Sequence, residues 1–261
     1  MNRRLLLAAG CLALLALTSG CLGFGTGPVS EDTLDSEPAE PYRWDTDRTV
    51  HVTVQENTQF RAVMAVNQST LDLFRRDGFG GSNPLSVQAV RYRYPNGTVI
   101  TGSEIRERGG EVRETRDETV VELPPGTAER GGQLAFTSGG TPKRFTLPTY
   151  VDGSYEVVLP ENRAIDFPVF GQVSPGNYET LRDDRGRVRI VWVDPVTADT
   201  VSVRYFLQRD LYVFGGVLGV ILLAGIGGLL YRRRQIERLR KQRTDMGLDV
   251  ESDDDDPPGF G

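Results

Sequence analysis

The chain of 261 residues has one histidine, two cysteines, three methionines and two lysines. Each scarcity excludes chemistry. Two cysteines cannot build a disulfide framework, and with one histidine they supply neither a Cys/His zinc site nor a thiol–imidazole dyad. A Ser/His/Asp triad would need His51, and no nucleophile-elbow motif accompanies it. His51 stands mid-strand opposite a row of valines, so it is expected to be a solvated strand residue. No Gly-rich phosphate loop has the required spacing. Asp183-Asp184, ahead of Arg185-Gly186, reads as a hairpin turn before it reads as a cation site. No catalytic, cofactor-binding or metal-ligating residue is therefore assigned, and no cofactor.

Lysine is nearly absent because 28 of the 30 bases are Arg, against 36 acids and a net charge of −6. A GC-rich genome accounts for the Arg bias alone, whereas the added acidic excess suits a protein working in concentrated salt. The arginines are scattered among acids, so no broad nucleic-acid face is expected. Their one cluster lies near the C-terminus.

What the chain does contain is two long apolar segments. In MNRRLLLAAGCLALLALTSGC, Arg3 and Arg4 precede the apolar core Leu5 to Leu17, then Thr18, Ser19, Gly20 and Cys21. Residues 1–21 read as a signal peptide with a lipoprotein-type site, and Cys21 is the expected lipidation residue. Cys11 has only a short apolar stretch before it and reads as part of the core. Arg3-Arg4 fits a twin-arginine signal as well as a plain basic start. The nearly continuous apolar run Leu5 to Phe24 also fits an uncleaved anchor. Either way the N-terminus is tethered to a membrane.

The second segment is Leu211 to Tyr231, 21 residues without a charge. As a helix it is roughly 32 Å long, matching a hydrocarbon core of ~30 Å. Tyr212 and Tyr231 stand at its ends, where aromatic belts form. Seven bases against Glu237 follow over 232–243, while Arg209 and Asp210 cancel on the other side. The positive-inside rule then places the C-terminus in the cytoplasm and the larger region outside. Gly215 and Gly219 form a G-x-x-x-G step, a weak case for a helix dimer in a segment with six glycines. Pro258-Gly259-Phe260, a tripeptide that directs cleavage when it precedes a terminal helix, follows this one and reads as coincidence. Residues 244–261 carry seven acids and no base. The tail 232–261, basic then acidic, is expected to be disordered beyond its first turns.

Between the anchors the pattern is β. Residues 22–43, rich in Gly, Pro, Ser and acids, read as a flexible spacer. From 44 to 209 short β-rich runs alternate with turn residues. Val50, Val52 and Val54 share one face, as do Tyr155, Val157 and Leu159, then Val188, Ile190 and Trp192, then Val201, Val203, Tyr205 and Leu207. LSVQAVRYRY and VITG flank Asn96-Gly97 as a hairpin. Further strands are expected at 60–66, 118–123 and 133–137, with one short helix at 70–76 capped by Ser69 and ended by Gly78. About ten to twelve strands imply a β-sandwich-like region. The stretch 101–117 reads as a long exposed hairpin or loop, and a division into two sub-domains is expected within 101–132. Asn67 and Asn96 open N-glycosylation sequons, Asn96 at a turn tip. Leu207 and Leu211 are separated by three residues, so the last strand and the membrane helix have almost no linker.

The segments GSYEVVLPENRAIDFPVFGQVSPGNYE (153–179) and VRIVWVDPVTADTVSVRYFLQRD (188–210), followed by the helix and Arg cluster, resemble an uncharacterised family of membrane-anchored lipoproteins from halophilic archaea. The resemblance covers most of 44–243. It implies a cell-surface protein and no catalytic role. The expected function is thus a doubly anchored envelope protein of the cell membrane, not an enzyme, whose partners are the membrane and an envelope protein or glycan. The alternative is a carboxylate-dependent extracellular hydrolase acting on glycans.

Overall fold

The computed structural model describes residues 26–78 and 80–245, with side chains through 242. The expected signal peptide with its lipidation residue Cys21, and the acidic run beyond 245, lie outside the described residues. Contacts divide the chain after Leu207 into a β domain and a helical unit.

The valine-rich alternations build one long sheet of eight strands. Its order is β15 (Glu179–Arg182), β16 (Val188–Trp192), β12 (Tyr155–Val158), β2 (Val50–Val54), β3 (Phe60–Val66), β10 (Gly132–Ser138), β6 (Val87–Arg93) and β7 (Val99–Thr101). Every pairing in it is antiparallel except β2 with β12. A five-stranded sheet runs β1 (Gly27–Pro28), β8 (Glu111–Glu114), β9 (Thr119–Glu122), β4 (Thr70–Arg76) and β5 (Ser82–Pro84). A third sheet joins β11 (Arg144–Pro148), β17 (Thr200–Arg204) and β14 (Gln172–Ser174), and β13 (Arg163–Ala164) pairs with β18 (Phe206–Leu207).

One hydrophobic cluster unites the three larger sheets. Val52, Val157, Ile190 and Trp192 of the long sheet join Leu71, Leu73, Val112 and Val121 of the second and Phe145, Leu147, Val201 and Val203 of the third. Phe60 meets Phe145 edge-on with ring centroids 5.3 Å apart. The shorter sheets therefore cover one face of the long one, a mostly β, sandwich-like arrangement as the alternation predicts. The 94–98 hairpin closes around Asn96-Gly97, with Gly97 at φ +88° and the Tyr94 N–H on the Thr98 carbonyl at 2.8 Å.

Several expectations are corrected. Residues 70–76 are strand β4, not a helix: Leu71 and Leu73 both enter the core, a period of two that outweighs the capping signals around them. The stretch 101–117 is not an exposed loop. It holds helix α2 (Gly102–Glu107), whose Thr101 and Glu104 form a reciprocal capping box, and its Ile105 is fully buried. Ile105, Val112 and Val121 belong to the common core cluster, so no division falls within 101–132.

The expected spacer 22–43 is folded from Gly27 onward, and the domain begins well before residue 44. β1 pairs with β8, and helix α1 (Glu31–Asp35) buries Leu34 completely against the core. Arg91 donates to the carbonyls of Leu34, Asp35 and Ser36, satisfying the orphan end of that short helix. Tyr42 then crosses the outer face of the long sheet. Its hydroxyl donates to the Ala89 carbonyl at 2.7 Å, where Ala89, at φ +54°, sits in the irregular register between β6 and β10. A segment this polar is held by a few deep anchors rather than by a periodic apolar face.

A one-turn helix, α3 (Thr127–Arg130), precedes β10. The helical unit is α4 (Gln208–Asp245), which is long and apolar enough to cross a membrane, with a mean hydropathy of 2.4 in its most apolar window. It continues through the basic block to Asp245, where disorder beyond the first turns is expected from composition. Arg, Gln, Glu and Leu are strong helix formers, and Glu237 stands four residues before Lys241, a favourable spacing.

Candidate functional site

The long sheet has a second face, and chemistry collects there. Alternation along β2 sends Val50, Val52 and Val54 to the core and His51 and Thr53 to the other side. The parallel pairing of β2 with β12 puts Glu156 directly beside His51, and β16 places Arg189 beside Val158. On the other flank Thr53 lies opposite Arg61 of β3.

His51 is thus not solvated, as expected from the strand pattern, but only 2% exposed, because both faces of the long sheet are covered at this point. Its Nδ1 lies 2.8 Å from Glu156 Oε2, and its Nε2 lies 3.3 Å from Thr53 Oγ1. The other Glu156 oxygen accepts from Arg189 Nε. Burial alone would raise the Glu156 carboxyl, but hydrogen bonds and charge from His51 and Arg189 outweigh it and hold the carboxyl down to about 2.

Above this network opens a cleft of about 420 Å³ lined by Arg61, Arg182, Arg185, Arg187, Arg189 and Arg43, together with His51, Thr53 and the three carboxylates of Glu40, Asp183 and Asp184. Arg61 is only 7% exposed. One of its Nη atoms donates to the carbonyls of Glu40 at 2.7 Å and Pro41 at 2.9 Å, and the other pairs with the Glu40 carboxylate. The folded N-terminal segment thereby forms one wall. The opposite wall is the turn between β15 and β16. There Asp183 accepts from the backbone of Arg185 at 3.0 Å and of Arg187 at 2.9 Å, and from the Arg187 side chain at 2.7 Å. Partial burial would raise the Asp183 carboxyl, yet these contacts hold it below its ordinary range. The pair Asp183-Asp184 is accordingly a turn element, with Asp183 engaged by the turn itself.

The Thr53–His51–Glu156 line has the order of a hydroxyl–imidazole–carboxylate relay. It differs from a working relay in two ways: Glu156 is shared with Arg189, and His51 is almost wholly enclosed. A glycosidase-type general acid needs a raised carboxyl, whereas Asp183 in this cleft and Glu156 behind His51 and Arg189 are lowered.

The other sequence-predicted positions lie elsewhere. Asn67 is exposed beside a separate cavity of about 440 Å³. Asn96 is exposed at the hairpin tip, where its side-chain oxygen accepts from the Thr98 N–H at 3.0 Å. Gly215 and Gly219 lie within α4. None of the cleft residues was assigned a site role from sequence. The one available signal was a polar pair, His51 and Thr53, inside a strand that is otherwise all valine.

No curated protein matches the chain. Residues 46–251 match DUF5803, a family of unknown function, and over that span, from the first strand of the long sheet through the membrane-length helix, the chain belongs to this family.

Proposed function

We propose that this protein is a membrane-anchored binding module of the cell surface, and that it takes its ligand in the arginine-lined cleft on the outer face of the long sheet. One observation carries the reading: a cleft with space for a small ligand is lined by His51 and the part-buried Arg189, both bonded to the buried carboxylate of Glu156. Buried ion pairs are a poor means of stabilising a fold, since apolar residues of similar volume often serve as well. Charged groups with a displaced pKa in a cleft point to a site instead. The apolar helix supports attachment to a membrane, and the seven bases at 232–243 support a cytoplasmic C-terminus with the β domain outside.

The test is native mass spectrometry of the full-length protein purified from its own membranes. Wild type should retain a non-covalent ligand that Thr53→Arg, which fills the cleft, has lost. Equal masses of bound material in both proteins would sink the reading.

The relay-like line favours a second reading, ester or related acyl hydrolysis, with Thr53 as nucleophile and His51 as base. A fluorophosphonate probe would then label wild type but not Thr53→Val. The binding reading expects no labelling of either.

A further inference from the structure

We infer that the cleft binds an oxyanion, a carboxylate or phosphate group, through the exposed guanidinium groups of Arg43 and Arg185 at its rim. This inference rests on the binding reading above and names the ligand's chemistry.

The charge balance comes first. The chain as a whole is acidic, at −6, yet six of its arginines line this cleft against Glu40, Asp183 and Asp184, with Glu156 bonded to the lining residues His51 and Arg189. Three of the six have acid partners: Arg61 with Glu40, Arg187 with Asp183, and Arg189 with Glu156. Arg182 reaches only the Gly186 carbonyl, at 3.2 Å. Among the described residues no carboxylate pairs with Arg43 or Arg185. The rim is therefore left with positive charge that the fold does not neutralise.

The second observation is the space beside these arginines. Arg61 is nine-tenths buried with both its Nη atoms held by Glu40 and Pro41, so it fixes the wall and leaves ligand contact to the rim. Arg61 also lines an adjoining cavity of about 530 Å³ that shares Glu40, Thr53, Arg185 and Arg187 with the first. Guanidinium forks match the planar carboxylate and the tetrahedral phosphate alike. The cleft has space for a small anionic group.

The phosphate could come from a free anion or from a lipid headgroup, and two probes separate these sources. Full-length protein in a neutral detergent is titrated calorimetrically with inorganic phosphate, and separately with short-chain phosphatidylglycerol. Sodium chloride is exchanged at constant ionic strength so that screening does not change. Saturable binding of phosphate is expected, weakened about tenfold by Arg185→Ala and by Arg43→Ala, the loss of one charge-assisted hydrogen bond each. Both residues are exposed, so the ligand-free melting temperatures of these variants should match wild type. Binding of the lipid but not of phosphate, with the same loss in the variants, assigns the headgroup as source. Failure of both probes, or variants that bind like wild type, overturns the inference. If native mass spectrometry meanwhile shows a neutral ligand lost in Thr53→Arg, the binding reading stands and only its anionic chemistry falls.

Discussion

Glu156 holds a negative charge where almost no water reaches it, and its two oxygens face His51 and Arg189. Removing one partner from a buried pair leaves the others uncompensated, so Glu156→Gln should cost about 3 kcal/mol in denaturant titration. The pH dependence follows from the direction of the shift. The folded carboxyl lies at about 2, below its ordinary value of 4.5. Its contribution is therefore complete above the ordinary value and is lost as pH falls toward about 2. Wild type should lose stability more steeply over that window than Glu156→Gln does, and parallel curves for the two proteins would refute the assignment. The site was barely legible in the sequence for the same reason that it is chemically interesting. His51 and Glu156 are 105 residues apart and meet only through a parallel strand pairing, which no local pattern announces. The alternation VHVTV correctly separates His51 from the valines, but it cannot say whether the second face is wet or covered.

At the level of elements, strands were legible where one face carried branched apolar residues at a period of two, as in β2, β16 and β17. Two elements were misread because a local signal competed with that period. In β4, Leu71 and Leu73 alternate in a short run, and the Ser and Gly at its flanks imitate helix caps. In α2, Thr101 and Glu104 are a capping box written in the sequence, but with few large apolar residues nearby the helix is supported mainly by Ile105. The folded stretch from Gly27 was the hardest to see, since single anchors such as Leu34 and Tyr42 have no periodicity. Leu34 tests whether that stretch belongs to the fold. It is fully buried, and a methyl group placed on Gly102 would come within 2.6 Å of its Cβ. Leu34→Ala should destabilise the protein by about 2–5 kcal/mol, the usual cost of a large-to-small core change. A true spacer residue would show no effect in the same melt. Because Glu40 and Pro41 also hold Arg61, loosening this segment should weaken the cleft as well as the core.

For the molecule as a whole, the question is which end keeps it in the membrane. A single lipid chain gives only marginal, reversible attachment, whereas an apolar helix that spans the bilayer is effectively irreversible. The helix α4 has the length and hydropathy for the second role without help from the N-terminus. Replacing Cys21 by Ser should therefore abolish lipid labelling, yet the protein should stay in the pellet after an alkaline carbonate wash. Removing 211–231 while keeping Cys21 should release part of the protein into the soluble fraction, since the lipid alone then resists dissociation. The arginines at 232–243 add a prediction of side. Protease applied to intact cells should digest the β domain up to Leu207 and leave a short fragment carrying those arginines. A protected β domain would reverse the topology and with it the cell-surface reading. Full release of the Cys21→Ser protein would show that the helix, despite its length, is not what holds the chain.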